Sequence, residues 1–189
     1  MAFPTSPTNG QITTKNGITY SYSSSTNSWT RITALQGGVF NTLRANIGIF
    51  TGNVSSASLS SVNMLEKVTD PGSALSGTYD YDCLTQSILN ITSNATANFA
   101  INFRGSSATS LDSVLAVGQS ISAVVLVTNG TTAYYPDTFQ IDGTSITPKW
   151  QGGSAPTAGN ASAIDVYTFT IIKTASATYT LLASQTKFA

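Results

Sequence analysis

The chain has 189 residues, 19.7 kDa and 41% hydrophobic content, which is enough to bury the core of a full domain with smaller additions and excludes a chain disordered throughout. Charged residues make up only 8%, against roughly 25% in an ordinary soluble domain, and the eight Lys and Arg balance the eight Asp and Glu. Ser, Thr, Asn and Gln must then supply the polar surface, and a neutral surface of hydroxyls and amides steers toward neither nucleic acid nor anionic lipid, so neither a nucleic-acid partner nor membrane insertion is expected.

The opening Met-Ala-Phe-Pro-Thr-Ser-Pro has no basic n-region and no apolar h-region, so no secretory signal is expected there. Pro4 to Ile32 is read as a small β-meander. Ile18, Tyr20 and Tyr22 alternate with Thr19 and Ser21, the period of a half-buried strand, after the Asn16-Gly17 turn signal. A second strand is expected over Trp29 to Ile32. Tyr20, Tyr22 and Trp29 supply the small core, a sugar-stacking platform being the alternative.

From Gly38 to Met64 short apolar clusters recur between single Gly, Asn, Ser and Thr residues. One copy of such a segment cannot enclose its own apolar side chains, and extended repeats of this kind stack on neighbours. Residues 38–65 are therefore read as a short intertwined β-shaft of three chains, with Phe40, Leu43, Ile47, Ile49, Phe50, Val54, Leu59 and Val62 as its core. An extended linker or an edge hairpin is the alternative. Residues 66–78, with Asp70-Pro71-Gly72 and a concentration of the scarce charge, are read as a solvated hinge.

Residues 79–189 are read as an antiparallel β-sandwich, jelly-roll-like, so the fold class is all-β throughout. Strands are expected over Tyr79–Leu84, Ile88–Thr92, Asn98–Arg104, Ser120–Thr128, Thr138–Ile141, Ser145–Thr147, Ile164–Lys173 and Thr178–Ser184, with a short helical turn near Thr109–Leu115. Asp142-Gly143 is the strongest hairpin signal in the chain.

The chain contains no His, which removes a Ser-His-Asp triad and His-based zinc sites; no phosphate-binding loop or dinucleotide fingerprint occurs, and the chain is not expected to be an enzyme. No cofactor and no metal are expected. Asp80 and Asp82 lie two apart in a strand and share a face. A glycan-cleaving carboxylate pair is the sharper interpretation, and a charged edge that resists aggregation is the preferred one. Asp137 and Asp142 flank a strand end as candidate Ca²⁺ ligands, without a supporting loop motif. The single Cys83 reads as a small apolar residue at a strand end. Tyr134, Tyr135 and Trp150, with Gln151 and Asn160, form a candidate glycan-binding set, since flat aromatic faces stack on sugar rings and amides take hydroxyls. The competing interpretation has Trp150 plugging the end of the sandwich and the tyrosines packing at a subunit seam.

The phrases Phe3-Pro-Thr-Ser-Pro-Thr-Asn-Gly-Gln11, Gly17-Ile-Thr-Tyr20 and Trp29 resemble a module that opens many virion proteins of marine tailed phages. Gly48-Ile-Phe-Thr-Gly-Asn-Val54 is similar to shaft repeats of phage fibres. Tyr134-Tyr135, Phe139-Gln-Ile-Asp-Gly143, Pro148-Lys-Trp-Gln-Gly152, Ala158-Gly-Asn160 and Asp165-Val-Tyr-Thr-Phe169 resemble a domain of cyanophage structural proteins. The resemblance implies trimeric fibres anchored by one end, with a globular tip. The chain is accordingly expected to be a homotrimeric tail fibre, assembled in the host cytoplasm, that meets other virion proteins through its N-terminal region and displays a C-terminal head to the host surface, a surface glycan being the candidate ligand. A capsid-bound fibre or decoration protein, and a cellular carbohydrate-binding module, are the alternatives.

Overall fold

The computed structural model describes residues 3–31 and 65–189. The expected shaft core, Phe40 to Val62, lies outside the described residues. The chain divides into two compact units, Met1–Leu59 and Ser60–Ala189.

In the first unit, β1 (Ile12–Lys15), β2 (Ile18–Ser23) and β3 (Ser28–Arg31) form an antiparallel meander. The β1–β2 turn is Asn16-Gly17, with φ of 50° and 76°, the doubly positive turn whose twist suits a two-residue hairpin. Trp29 stands against Tyr22, and Phe3 stacks on Trp29 at 5.2 Å and meets Tyr20 edge-on at 5.0 Å. The aromatic core is thus larger by Phe3 than the alternation pattern indicates.

The second unit is all-β, apart from one helical turn and one 3-10 turn. Its strands are β4 (Val68–Thr69), β5 (Thr78–Asp82), β6 (Ile88–Ile91), β7 (Phe99–Arg104), β8 (Ser120–Thr128), β9 (Pro136–Ile141), β10 (Thr144–Ser145), β11 (Lys149–Trp150), β12 (Ile164–Ala175) and β13 (Thr178–Phe188), with α1 (Leu111–Val114) between β7 and β8. A six-stranded sheet has the order β11-β13-β12-β8-β6-β4, and a four-stranded sheet has the order β10-β9-β7-β5. One apolar core lies between them. Tyr81, Ile101, Phe103 and Phe139 come from the smaller sheet, and Leu89, Val125, Phe169 and Leu181 from the larger. Phe169 meets Phe103 at 5.1 Å and Phe139 at 5.4 Å, tying the sheets together.

The strand directions depart from the antiparallel expectation. β4–β6, β6–β8, β5–β7, β7–β9 and β11–β13 are parallel, and antiparallel pairing is confined to β8–β12, β12–β13 and β9–β10. The reason is the path. From β4 to β9 each connection carries the chain to the opposite sheet, so every second strand returns to its own sheet running the same way. Side-chain periodicity locates a strand and its buried face but carries no information on the direction of its neighbour.

Residues 66–78, expected as a hinge, are bound into this unit. Val68 and Thr69 pair with β6, Thr92 donates to Asp70 at 2.6 Å, Thr96 N–H donates to the Leu75 carbonyl, and Leu75 packs on the core. Two-residue edge strands and single loop bonds leave no periodic signal. The Asp142-Gly143 hairpin is present, with φ of 49° and 78°.

Candidate binding site

β11 adds to the β13 edge of the larger sheet, with Lys149 opposite Leu182 and Trp150 opposite Ala183. Trp150 turns inward against Phe139 and Phe169, at 5.7 and 6.5 Å, and closes the sandwich edge while remaining partly exposed. The chain then turns through a 3-10 element, Gln151–Gly153. Two adjoining hollows share Trp150 and Gln151. One, of about 400 Å³, is completed by Lys149, Thr168, Thr170, Leu182, Ala183 and Ser184. The other, of about 490 Å³, is completed by Ser154, Pro156, Gln185, Thr186 and Lys187. Both volumes fall in the roughly 300–1,000 Å³ range of small-molecule sites. Neither is lined by a carboxylate. The second combines an indole edge, two amides, hydroxyls and an ammonium group, which is donor-rich chemistry suited to sugar hydroxyls.

The structure therefore brings Trp150 and Gln151 together but does not bring Tyr134, Tyr135 or Asn160 into these hollows. Tyr134 and Tyr135 pack partly buried against the core, and the Tyr135 main chain is held by Asn98. Asn160 acts through its main-chain N–H, which donates to Asp165 at 2.8 Å. Lys149 carries no mark in the sequence that singles it out, and Gln185 and Lys187 continue the inward phase of β13 toward its exposed end. Gln185 also donates to the Tyr167 hydroxyl and the Ala158 carbonyl, linking the hollow to the 154–163 loop.

The carboxylates considered as catalytic or metal-binding have structural partners. Asp80 and Asp82 lie on the edge strand β5, in parallel register with Asn102 and Arg104. Arg104 bridges both at 2.7 and 2.6 Å, and Asn102 donates to Asp80 at 2.7 Å. The bond to Asp82, first, holds the guanidinium charged more firmly than usual. Asp142 accepts from the Leu111 and Asp112 N–H groups at 2.7 and 3.0 Å and so caps α1 from a distant hairpin. Asp137 accepts from Asn98 and Thr138. Among the described residues no group of three or more His, Cys, Asp or Glu gathers to hold a metal, and no helix is long and apolar enough to cross a membrane. Burial pushes the Cys83 thiol up to about 12.

The two outer faces of the sandwich differ. The smaller sheet presents Asp80, Asp82, Asn102 and Arg104. The larger sheet presents the alternate, outward residues of β6, β8, β12 and β13, and none of these is charged. Val166 lies between Leu126 and Thr186, Ile164 between Thr128 and Phe188, and Thr170 between Ser122 and Leu182. Ile164, Leu182 and Phe188 are conspicuously exposed.

No family model, curated protein or solved structure matches this chain.

Proposed function

We propose that this chain is a structural subunit of a tailed-phage particle, a homotrimeric fibre protein whose C-terminal sandwich is displayed as a head and whose N-terminal region meets other virion proteins. The observation that carries the reading is the uncharged outer face of strands β6, β8, β12 and β13, bordered by Lys149 on the short edge strand β11. A solvated sheet face ordinarily carries charge, as the opposite face of this sandwich does. Four strands of 4, 9, 12 and 11 residues, spaced about 4.8 Å apart with about 3.3 Å per residue, present roughly 600 Å². That is of the order of the roughly 800 Å² that each partner gives to a stable interface. In a three-fold assembly this face meets a different surface of the neighbouring copy, since a face paired with itself closes as a dimer. The resemblance of residues 3–29, 43–54 and 134–169 to phage virion proteins points the same way.

The hollow of Trp150, Gln151, Gln185 and Lys187 is the place we assign to a surface saccharide, at the β11 edge.

Light scattering on the purified full chain tests the assembly. A mass three times 19.7 kDa is expected, and Leu182→Asp with Val166→Asp should release folded monomers. A monomeric mass for the unaltered chain overturns the reading. For the saccharide, binding to a panel of bacterial polysaccharides should fall at least tenfold in Gln151→Ala with Lys187→Ala; equal binding by this variant rejects the hollow.

A further inference from the structure

Charge is spread unevenly along this chain. Residues 65–189 carry all eight Asp and Glu but only five of the eight Lys and Arg, namely Lys67, Arg104, Lys149, Lys173 and Lys187, so the sandwich unit has an excess of three negative charges. An edge with cations and no carboxylates is the exception in such a unit, and the β11 edge is one. Lys149 lines one of the two hollows that share Trp150 and Gln151, Lys187 lines the other, and no Asp or Glu lines either. Arg104 and Lys173 are engaged by Asp80, Asp82 and Asp112, whereas Lys149 and Lys187 form no ion pair among the described residues. No Asp or Glu precedes Glu66, so the rest of the chain holds no carboxylate side chain for them.

The carboxylate facing Lys187 in strand register is Asp165, directly opposite on β12. Asp165 is fully buried, and its Oδ2 accepts from Asn129 and from the Asn160 main chain. Lys187 is exposed. Asp165 therefore lowers the positive potential at the strand end but leaves the Lys187 donors free. The amides beside Lys187 are complementary. Gln185 Nε2 is taken by the Tyr167 hydroxyl at 2.9 Å and the Ala158 carbonyl at 3.3 Å, so Gln185 offers its Oε1, while the exposed Gln151 offers donor and acceptor alike. Gln185 and Lys187 take the opposite phase from Leu182, so a ligand held by them leaves the outer face of the larger sheet open to a neighbouring copy.

Resting on the assignment of a saccharide to this hollow, we propose that the saccharide is anionic: Lys187 holds its acidic group, Gln151 and Gln185 take neutral hydroxyls, and Lys149 attracts a further acidic group of the same ligand. A hydrogen bond from an ammonium to an anion is about twice as strong as a neutral one. The excess negative charge of the sandwich repels an acidic chain elsewhere and steers it to this edge. Lys149 stands level with Leu182, and Lys187 lies five residues further along β13, roughly 17 Å at about 3.3 Å per residue. An oligomer crossing the edge at Gln151 reaches both, and a single sugar ring does not.

Calorimetric titration of the full chain with matched pairs tests this: oligogalacturonate against its methyl ester, and dextran sulfate against dextran. The acidic member of at least one pair should bind about tenfold tighter than its neutral twin. That preference should shrink in about 1 M NaCl, where the screening length is about 3 Å. Lys187→Gln should bring the twins within about threefold of each other, and Lys187→Arg should keep them apart. Lys15→Gln, in the first unit, should change nothing. If Lys187→Gln does not fold, Lys149→Gln decides, with a loss of roughly threefold for the acidic member alone; unaltered binding by that variant overturns the proposal. Neutral twins that bind as tightly as the acidic ones in both pairs overturn the proposal and leave the saccharide assignment standing. Binding of neither pair overturns both. An equal loss in Lys15→Gln and Lys187→Gln means diffuse attraction to the whole chain and also overturns the proposal.

Discussion

Phe169→Ala is the sharpest probe of the sandwich as a single packed core. Phe169 is 1% exposed and its ring touches Phe103, Phe139 and Trp150, so it contacts both sheets and the edge closure. Truncating a buried Phe to Ala costs about 3–5 kcal/mol, and three aromatic contacts, each worth roughly 0.5–1.5 kcal/mol, place this site at the upper end. The loss of about 4–5 kcal/mol is a large share of the roughly 5–15 kcal/mol that holds a domain. Urea unfolding followed by far-UV circular dichroism and by Trp150 emission, in a Trp29→Phe background, reads the sandwich apart from the N-terminal unit. The midpoint should fall with the slope unchanged. Phe169→Leu should recover about half the loss. A cost below about 1.5 kcal/mol would mean that the two sheets do not share one core at this point, and the fold account would fail.

Asp142→Ala should cost about 1 kcal/mol by leaving the Leu111 and Asp112 N–H groups uncapped, with faster amide exchange over α1 as the local signature. Asp70 and Asp112 are both held below the usual carboxylate range, the first chiefly by the Thr92 hydroxyl and the second chiefly by Lys173. Their contribution to stability is complete above about pH 4 and is lost as the pH falls through their lower folded values, so denaturant midpoints should decline on that side and stay level between about pH 5 and 8. Cys83, with its thiol pushed up to about 12, should react with a disulfide reagent at pH 8 about 100-fold more slowly in the folded chain than in urea.

Strand positions in the second unit were legible because they rest on period two. Phe99, Ile101 and Phe103 alternate with polar or small residues, and β8 spans Ser120–Thr128 as expected. The Asp142-Gly143 turn was legible because few residues accept two positive φ angles. β4, β10 and β11 have two residues each, too short for a pattern, and exist only where a longer neighbour offers its edge. The parallel pairings were illegible because direction depends on the path between strands. For the candidate site, Trp150 and Gln151 stand out as an aromatic and an amide in a Gly/Pro-rich loop. Gln185 and Lys187 arrive from a strand far downstream, where they continue the inward phase of Leu181 and Ala183 toward the exposed end of β13. Asp165 and Lys173 carry a local mark. Both fall in phase with Tyr167, Phe169 and Ile171, and a charge in the inward phase of a strand announces a buried polar centre. Lys173 answers to this by reaching Asp112 and the Leu115 carbonyl.

The back-and-forth path of β4 to β9 makes this part of the protein modular in units of two. Each out-and-back circuit adds one strand to each sheet and leaves every existing strand pointing as before. A sequence could grow at the free β4–β5 side without disturbing the rest, whereas one strand inserted within the path would send every later strand to the opposite sheet. The long β12–β13 ribbon sets the limit at the other side, because its antiparallel pairing with β8 ends the winding. Related chains with insertions between β4 and β8 should therefore differ there by whole circuits, an even number of strands, and keep the closing ribbon intact.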